Sequence, residues 1–303
     1  MAEEIYHIPA LLEPTLDGLD IKKGGIYVDA TLGGAGHTRA ILDRLGPDGR
    51  LFSFDQDIEA IVRAPHDPRL TTVHSNFCYL LNFMDYYGVD GKVDGVLADL
   101  GVSFHHFDDA ARGFSFRADG PLDMRMNPDA RLSAADIVAE ADEDRLTEIF
   151  RLYGELKQAR RIARRLIDLR STNPVDTTGR LVEAVTPLLN PAREKKELAQ
   201  VFQALRIEVN SEMDVLATLL SSALATLAPG GRLAIITYHS LEDRMVKNFM
   251  RTGSVTGREE KDFFGNIASP VRPLTSKPVV PDDEEIERNP RSRSAKLRVG
   301  IKM

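Results

Sequence analysis

The stretch Ile26-Tyr27-Val28-Asp29-Ala30-Thr31-Leu32-Gly33-Gly34-Ala35-Gly36-His37 decides the fold of this 303-residue chain. It opens with β-forming residues that suit a buried strand. It then breaks at Gly33–Gly36 into a turn, where missing side chains let the backbone approach a ligand. Apolar residues at helical spacing follow until Gly46-Pro47. A strand, a glycine turn and a helix in this order present free N–H groups to a nucleotide-like cofactor.

The rest of the chain extends this unit into a sheet. Five further strands are predicted from their β-forming residues, over 50–54, 70–74, 93–98, 232–238 and 295–301. Helical patterns separate the early strands, which indicates a parallel α/β sheet. We therefore predict a Rossmann-like α/β fold. Its cofactor-binding domain is discontinuous, over 1–102 and 208–303, and an inserted, mostly helical domain occupies 103–207. Residues 252–287 are polar and proline-rich, and we expect a long loop there.

Composition limits the compartment and the partners. The formal net charge of −7 argues against attraction of the whole surface to nucleic acid, but it leaves room for a local basic face. No apolar run approaches the roughly 20 residues of a membrane span, and the N-terminus lacks a signal pattern. The single cysteine, Cys78, cannot form an intrachain disulfide or a cysteine-based metal site. We expect a cytoplasmic protein that does not act at a membrane.

Two clusters of basic residues stand out. One lies in a helical stretch and comprises Lys157, Arg160, Arg161, Arg164, Arg165 and Arg170; the other comprises Arg288, Arg291, Arg293, Lys296 and Arg298. A solvated face paired with nearby acids explains such a cluster as readily as a nucleic-acid contact does. The candidate RNA-binding residues are those of the first cluster, Arg160, Arg161, Arg164 and Arg165.

Acidic residues close three of the predicted strands. Asp55 follows the glycines by about twenty residues, where doubly wound folds place an acid that binds ribose hydroxyls. The third glycine of a dinucleotide site is replaced by Arg39, which disfavours NAD. Asp29, at the end of the first strand, favours S-adenosylmethionine (SAM), whose amino-acid part carries an ammonium and a carboxylate. Asp99 ends the fourth strand, where it would face the reacting group unless it is only a cap or turn residue. An NAD-linked oxidoreductase is the alternative from another class.

Two other catalytic patterns fit less well. His105 and His106 lack the carboxylate–histidine spacing of a metal site, so we expect no metal. His239-Ser240 with Asp243 could suggest a serine hydrolase. However, the chain has no Gly-x-Ser-x-Gly turn, and one helix start does not place all three groups. We expect Ser240 to cap this helix instead, with Asp243 at its third position.

Several long motifs, in order along nearly the whole chain, resemble one family. They are Asp29–His37, Asp99–Ser103, Arg112–Phe116, Gly120–Met126, Phe202–Ile207, His239–Arg244 and Asn289–Arg298. On these motifs the chain resembles the RsmH (MraW) family, bacterial methyltransferases that modify N4 of a decoding-site cytosine in 16S rRNA. The resemblance implies a SAM-dependent rRNA (cytosine-N4-)-methyltransferase that acts on the small ribosomal subunit. A homodimer is compatible with the sequence, which does not give the oligomeric state.

The resemblance also implies which residues form the site. The cofactor would be held by Gly33, Gly34, Ala35, Gly36, His37, Asp55, Phe77, Asp99 and the residue at 106, which is His106 where the family commonly has glutamine. We expect Asp99 to accept from the cytosine amino group, with Asp123 and His239 as further catalytic candidates. Methylation of another RNA or DNA base is the alternative within this class. A non-catalytic RNA-binding assembly factor that retains the cofactor fold is another.

Overall fold

The computed structural model describes residues 9–101, 109–259 and 269–303. The chain divides into two compact units. One comprises Met1–Gly101 together with Asp214–Met303, and the other comprises Val102–Met213. We call them the sheet unit and the helical unit. Within the described ranges, no helix has both the length and the apolar character needed to cross a membrane.

A seven-stranded sheet forms the centre of the sheet unit. Its strands are β1 (Ile26–Asp29), β2 (Arg50–Asp55), β3 (Leu70–His74), β4 (Val93–Asp99), β5 (Leu227–Thr237), β6 (Val271–Pro273) and β7 (Lys296–Lys302). Their order is β3-β2-β1-β4-β5-β7-β6, with β1 to β5 parallel and β7 antiparallel to both neighbours. The predicted Rossmann-like α/β fold is confirmed. The strand order reverses between β1 and β4, and ligands of open α/β sheets bind at this kind of reversal.

Helices precede, connect and follow these strands. In the sheet unit they are α1 (Leu12–Leu19), α2 (Gly36–Arg44), α3 (Ile58–Val62), α4 (Leu80–Tyr86), α11 (Ser240–Thr252) and α12 (Asp283–Arg288). In the helical unit they are α5 (Ala134–Glu140), α6 (Glu143–Leu152), α7 (Ala159–Arg170), α8 (Thr178–Val185) and α9 (Glu194–Asn210). Helix α10 (Glu212–Thr226) contains the residue at which the chain passes from the helical unit to the sheet unit.

The residue types of β1 and β4 suit the close packing of these two inner strands. The Tyr27 ring is buried beside Gly95, where an added Cβ would lie 2.9 Å from the ring carbons. The Tyr27 hydroxyl accepts a hydrogen bond from the Lys22 backbone N–H at 2.8 Å. Val96 and Leu97 of β4 are fully buried, as expected for a strand covered on both faces. These contacts fix the position of β1 against β4, and thus the point in the sheet at which the glycine turn begins.

Two predictions about the later strands are wrong in detail. Strand β5 begins at Leu227, so the turn expected at 228–231 lies inside the strand. The pairing of β5 with β4 shifts register between Val93 and Gly95, and Gly230 takes φ +79° there. Strand β6 and all but the last residue of α12 lie within the loop expected over 252–287. A three-residue strand is too short to show alternation, and an acidic six-residue helix resembles a polar loop in sequence.

Candidate active site

Three aspartates meet at one edge of the sheet. Asp29, Asp55 and Asp99 are the last residues of β1, β2 and β4. These strands are parallel neighbours with β1 in the middle, so their carboxyl ends lie side by side. The glycine turn leaves β1 at the same edge. The structure therefore brings the predicted loop, Asp55 and Asp99 together.

The glycine turn contains two left-handed backbone positions, one at a glycine, as its sequence suggests, and one at a residue that is not glycine. Gly33 takes φ +47°, and the non-glycine Ala35 takes φ +61° while its side chain is buried. Gly33 and Gly34 are exposed. Ala35 precedes α2 and supplies no side-chain cap, so the first N–H groups of the helix are open to a ligand. Gly36 has a packing role, since a Cβ there would lie 2.9 Å from the Pro9 ring.

Asp55 ties the second strand to the glycine turn. Its Oδ2 accepts from the Gly33 N–H at 2.8 Å, and its Oδ1 accepts from the Asp57 N–H at 2.8 Å. Burial raises the pKa of Asp55, although both hydrogen bonds act in the opposite direction. Each carboxylate oxygen of Asp55 thus accepts one hydrogen bond from the backbone and keeps a further lone pair for a ligand.

Phe77 reaches the same edge from the third strand. It begins a short 3₁₀ turn, Phe77–Tyr79, just after β3, and Asn76 caps this turn by accepting from the Cys78 N–H at 2.8 Å. The ring is half-buried. An aromatic face at this place could contact a planar ligand group beside Asp55.

Asp99 lies at the centre of the edge, and its side chain is only 13% exposed. Its backbone N–H donates to Thr31 Oγ1 at 2.7 Å, and its Oδ1 accepts from the Gly101 N–H at 3.4 Å. His37 Nδ1 lies 3.9 Å from Asp99 Oδ2. Burial raises the pKa of Asp99, while the nearby His37 and hydrogen bonds from Tyr238 and Gly101 oppose that rise. Sequence reasoning missed Tyr238, which follows the buried strand β5 and carries no motif of its own.

Asp29 lies beneath the edge and is fully buried, so it cannot touch a ligand directly. Its Oδ2 accepts from Thr38 Oγ1 at 2.7 Å, and its Oδ1 accepts from the Thr31 N–H at 3.1 Å. Thr38 also contacts Ser53 Oγ at 2.9 Å. Burial raises the pKa of Asp29 to about 6 from a usual value of 3.8, against the opposing effects of His37 and these hydrogen bonds. Asp29 thus joins the end of β1 to the start of α2.

The raised pKa of Asp29 predicts a pH-dependent stability. A carboxyl that holds its proton more tightly when folded stabilises the fold at low pH. That stabilisation is lost as pH rises through about 6. The loss corresponds to about 3 kcal/mol of unfolding free energy at most. Asp29→Asn keeps an oxygen acceptor for Thr38 and cannot ionise, so it should gain stability relative to wild type between pH 4.5 and 7.5. Urea unfolding across this range measures the difference.

The exposed Asp85 provides the control for this measurement, because Asp85→Asn removes a carboxyl that lies in water. The difference between that variant and wild type should stay flat over the same pH range. A flat difference for Asp29→Asn as well would contradict the assigned burial effect.

His239 acts as a helix cap in the structure. It precedes α11, and its Nδ1 accepts from the Glu242 N–H at 3.4 Å. Glu242 reaches back and accepts from the Tyr238 and His239 N–H groups at 2.8 and 3.3 Å. The predicted cap at Ser240 is therefore wrong by one residue, because an imidazole nitrogen takes the place of the expected hydroxyl. The catalytic role expected for His239 stays a prediction.

Asp243 is committed to a separate ion pair. Its Oδ1 accepts from Arg298 Nε at 2.7 Å, and Lys296 Nζ lies 3.4 Å from its Oδ2. Burial raises the pKa of Asp243, but the hydrogen bond and charge of Arg298 outweigh burial, so this pKa lies below its usual value. A carboxylate held by two cations of β7 is poorly suited to orient a histidine base.

Asp123 belongs to the helical unit and is held by Arg125. The Arg125 guanidinium donates to both carboxylate oxygens, at 3.0 Å from Nε and 2.7 Å from Nη2. Burial raises the pKa of Asp123, but the hydrogen bonds from Arg125 lower it more, so the group is ionised at neutral pH. The Asp123 carbonyl also accepts from the Ala134 N–H at the start of α5. Its catalytic role stays a prediction.

The four candidate RNA-binding arginines fall into two pairs on α7. Arg160 and Arg164 both donate to Glu143, at 2.9 and 3.2 Å. Arg161 and Arg165 are also exposed, but their side chains make no hydrogen bond or ion pair within the ranges that the structure describes. Their spacing of four places them on one helix face. His105 and His106, the latter predicted to bind the cofactor, lie outside the described residues.

The strand order and the glycine turn beside three strand-end aspartates define the fold class of Rossmann-like methyltransferases. A model of the MraW methylase family matches residues 4–303. The rRNA small subunit methyltransferase H of Parabacteroides distasonis is 58% identical over 301 residues, covering 99% of each chain. The protein of the same name from Bacteroides thetaiotaomicron is 57% identical over 300 residues, covering 99% of this chain and 98% of its own. The chain belongs to the MraW methylase family.

Proposed function

We propose that this protein transfers the methyl group of SAM to N4 of a decoding-site cytosine in the 16S rRNA of the small ribosomal subunit. Relatives that span the full chain carry the name of rRNA small subunit methyltransferase H. The observation that carries the chemistry is Asp99, a buried carboxylate at the end of β4 that adjoins the glycine turn. The choice of N4 and of the decoding site rests on the resemblance of the motifs.

The edge of the sheet suits SAM better than NAD. SAM carries a sulfonium and an ammonium, and the edge presents the carboxylates of Asp55 and Asp99, with the buried Asp29 beneath them. The pyrophosphate of NAD would meet the same carboxylates with like charge. The exposed Gly33 and Gly34, with Asp55, Phe77 and Asp99, are the described residues that would hold the cofactor. When bound, SAM supplies an electrophilic methyl group on a sulfonium, which leaves as a neutral thioether.

Asp99 would make the cytosine amine a better nucleophile. The lone pair of this amine is delocalised into the ring, so the free amino group reacts poorly. A carboxylate that accepts from one N–H localises the pair as the methyl group transfers. Burial makes this hydrogen bond stronger than it would be in water. Holding the amine in line with the methyl group adds a positional contribution.

Substrate recognition is proposed for the helical unit, Val102–Met213, which corresponds to the inserted domain predicted over 103–207. The exposed arginines of α7 offer a basic strip on an otherwise acidic protein. Phosphate contacts by arginine position an RNA without reading its sequence. We propose that Arg161 and Arg165, which have no partner in the described ranges, contact the RNA backbone first.

The function is tested with small subunits from a strain that lacks this gene. Purified protein and labelled SAM should transfer label to 16S rRNA, and the modified nucleotide should map to the decoding site as N4-methylcytosine. Label at another nucleotide would support the alternative of a different base. SAM binding without turnover on naked RNA or on small subunits would support an assembly factor. Equilibrium binding of NAD in preference to SAM would favour the oxidoreductase.

The basic strip predicts a salt-dependent effect that differs between the two arginine pairs. Arg161→Gln with Arg165→Gln should weaken RNA binding about tenfold near physiological salt. The same change should reduce the slope of log affinity against log salt by about 1 to 2. Arg160→Gln with Arg164→Gln removes two charges of which Glu143 already offsets one, so its effect should be smaller. Filter binding to small subunits over a salt series compares the double variants. Equal effects would contradict the assignment to the unpaired arginines.

A further inference from the structure

His37 has surroundings that the proposed cofactor contacts do not explain. It is the second residue of α2, and its side chain is only 6% exposed. Nδ1 faces Asp99 Oδ2 at 3.9 Å, so we place a hydrogen on Nδ1. Nε2 is buried and has no hydrogen-bond partner among the described residues. A buried ring nitrogen without a hydrogen-bond partner lowers the stability of the fold, so the presence of histidine at this position needs a reason.

The charged groups around His37 come from several elements and are mostly acidic. Asp29 approaches from β1 and Asp99 from β4. Proximity of His37 lowers the pKa of both aspartates, against the rise caused by burial. Tyr238, which follows β5, donates to Asp99, and Glu242 on α11 raises the pKa of Asp99 through its charge. Among these groups, His37 alone can become a cation.

This arrangement suits control of the Asp99 charge. A carboxylate buried beside other acids tends to take up a proton and then loses its ability to accept from an amine. An imidazole whose Nδ1 faces the Asp99 carboxylate at 3.9 Å opposes that tendency, because a ring N–H directed at the carboxylate favours its ionised form. The exposed backbone of Gly33 and Gly34 is available to a ligand, whereas the buried His37 imidazole faces Asp99.

We propose that His37 is a positioning residue for methyl transfer, which keeps the Asp99 carboxylate ionised and aimed at the substrate amine. The inference rests on the proposed function. During the reaction the methyl–sulfur bond breaks and a nitrogen–carbon bond forms, with the sulfur keeping the electron pair. The amine nitrogen then loses one N–H proton to the Asp99 carboxylate. His37 acts only through Asp99 and does not touch the methyl group.

Two substitutions separate this role from a role in folding or cofactor binding. His37→Asn places an amide N–H near the position of Nδ1, and His37→Gln places one near Nε2. Neither side chain can carry a charge. The acid limb of the kcat–pH profile should move to higher pH in both variants, and less in His37→Asn. Below that limb, kcat should fall about tenfold or more, and it should recover to within about twofold at high pH. Because kcat is measured at saturating SAM, a change in SAM affinity, followed separately by calorimetry, does not enter this comparison.

The coupling can also be measured without any turnover. Carboxyl ¹³C NMR of labelled aspartate, assigned with Asp99→Asn, follows the titration of Asp99 itself. Its midpoint should move to higher pH in both His37 variants and stay in place in His66→Asn, which changes an exposed histidine before β3. An unchanged midpoint, or a loss of kcat by one factor at every pH, would overturn the proposal. A moved midpoint without methyl transfer to small subunits would refute the proposed function while supporting the coupling.

Discussion

Asp99→Asn should lower kcat for methyl transfer to small subunits by about 10² to 10⁴. The amide keeps an oxygen near the position of Oδ1, so the Gly101 N–H retains its acceptor. The variant loses the negative charge that localises the lone pair of the amine, and it cannot take up the released proton. SAM binding, measured by calorimetry, should change much less than kcat. A single-turnover assay with labelled SAM measures the chemical step.

The pH profile supplies the second part of this test. Burial raises the pKa of Asp99, so wild-type activity should fall with decreasing pH at a higher pH than an exposed aspartate would give. Asp99→Asn has no such ionisation, and its residual activity should lack this limb. Asp94→Asn is a control at the opposite end of β4, where the carboxylate accepts from the Ile26 N–H at 3.0 Å. Wild-type turnover by Asp99→Asn with normal SAM affinity would contradict the catalytic role proposed for Asp99.

The parts of the fold that follow from local patterns could be predicted from the sequence. Strands β1 to β4 are short runs rich in β-forming residues, and each lies within about two residues of its predicted place. Strand β6 and the start of β5 could not be found in this way. Val271–Pro273 is a strand only because β7 pairs with it, and Leu227 joins β5 through a shifted register with β4. Such pairings are tertiary and leave no period in the sequence.

Some residues of the candidate site could likewise be predicted from the sequence, and others could not. Asp55 and Asp99 could be predicted because they end strands, and parallel strands bring their ends to one edge. Tyr238 and Thr38 could not, since their importance lies in contacts with Asp99 and Asp29 that only the packed structure creates. His239 caps α11, a role that the sequence does not predict, and its catalytic role stays a prediction. A histidine cap is hard to recognise because Ser240 stands beside it and is the commoner capping residue.

Two motifs of the helical unit, Arg112–Phe116 and Gly120–Met126, owe part of their sequence to packing. Their backbones touch at Gly113, and the second motif also touches Ala110, which lies two residues before the first motif. A Cβ on Gly113 would overlap the Pro121 carbonyl oxygen, and a Cβ on Gly120 would overlap the Ala110 carbonyl oxygen. The Met124 N–H also donates to the Arg112 carbonyl at 3.0 Å. Residues in these motifs therefore need not touch a substrate to be indispensable.

Gly113→Ala should destabilise the protein by about 3 to 5 kcal/mol, enough to unfold much of the helical unit at 37 °C. Gly113 takes φ +70°, so the new Cβ adds backbone strain to the clash with the Pro121 carbonyl. Gly88→Ala isolates the strain, because Gly88 takes φ +68° with nothing within 4 Å of an added Cβ. It should cost about 1 to 2 kcal/mol. Urea and thermal unfolding measure each variant.

Gly120→Ala isolates the clash, since its backbone lies outside the left-handed region and its Cβ would meet the Ala110 carbonyl. Its destabilisation should fall between those of Gly88→Ala and Gly113→Ala. Backbone atoms cannot move aside as a flexible side chain can, so the clash must shift one motif against the other. If Gly113→Ala and Gly88→Ala lose the same unfolding free energy, the two motifs can move apart at little cost in free energy. Their glycines would then need a reason outside packing, such as close approach of the RNA.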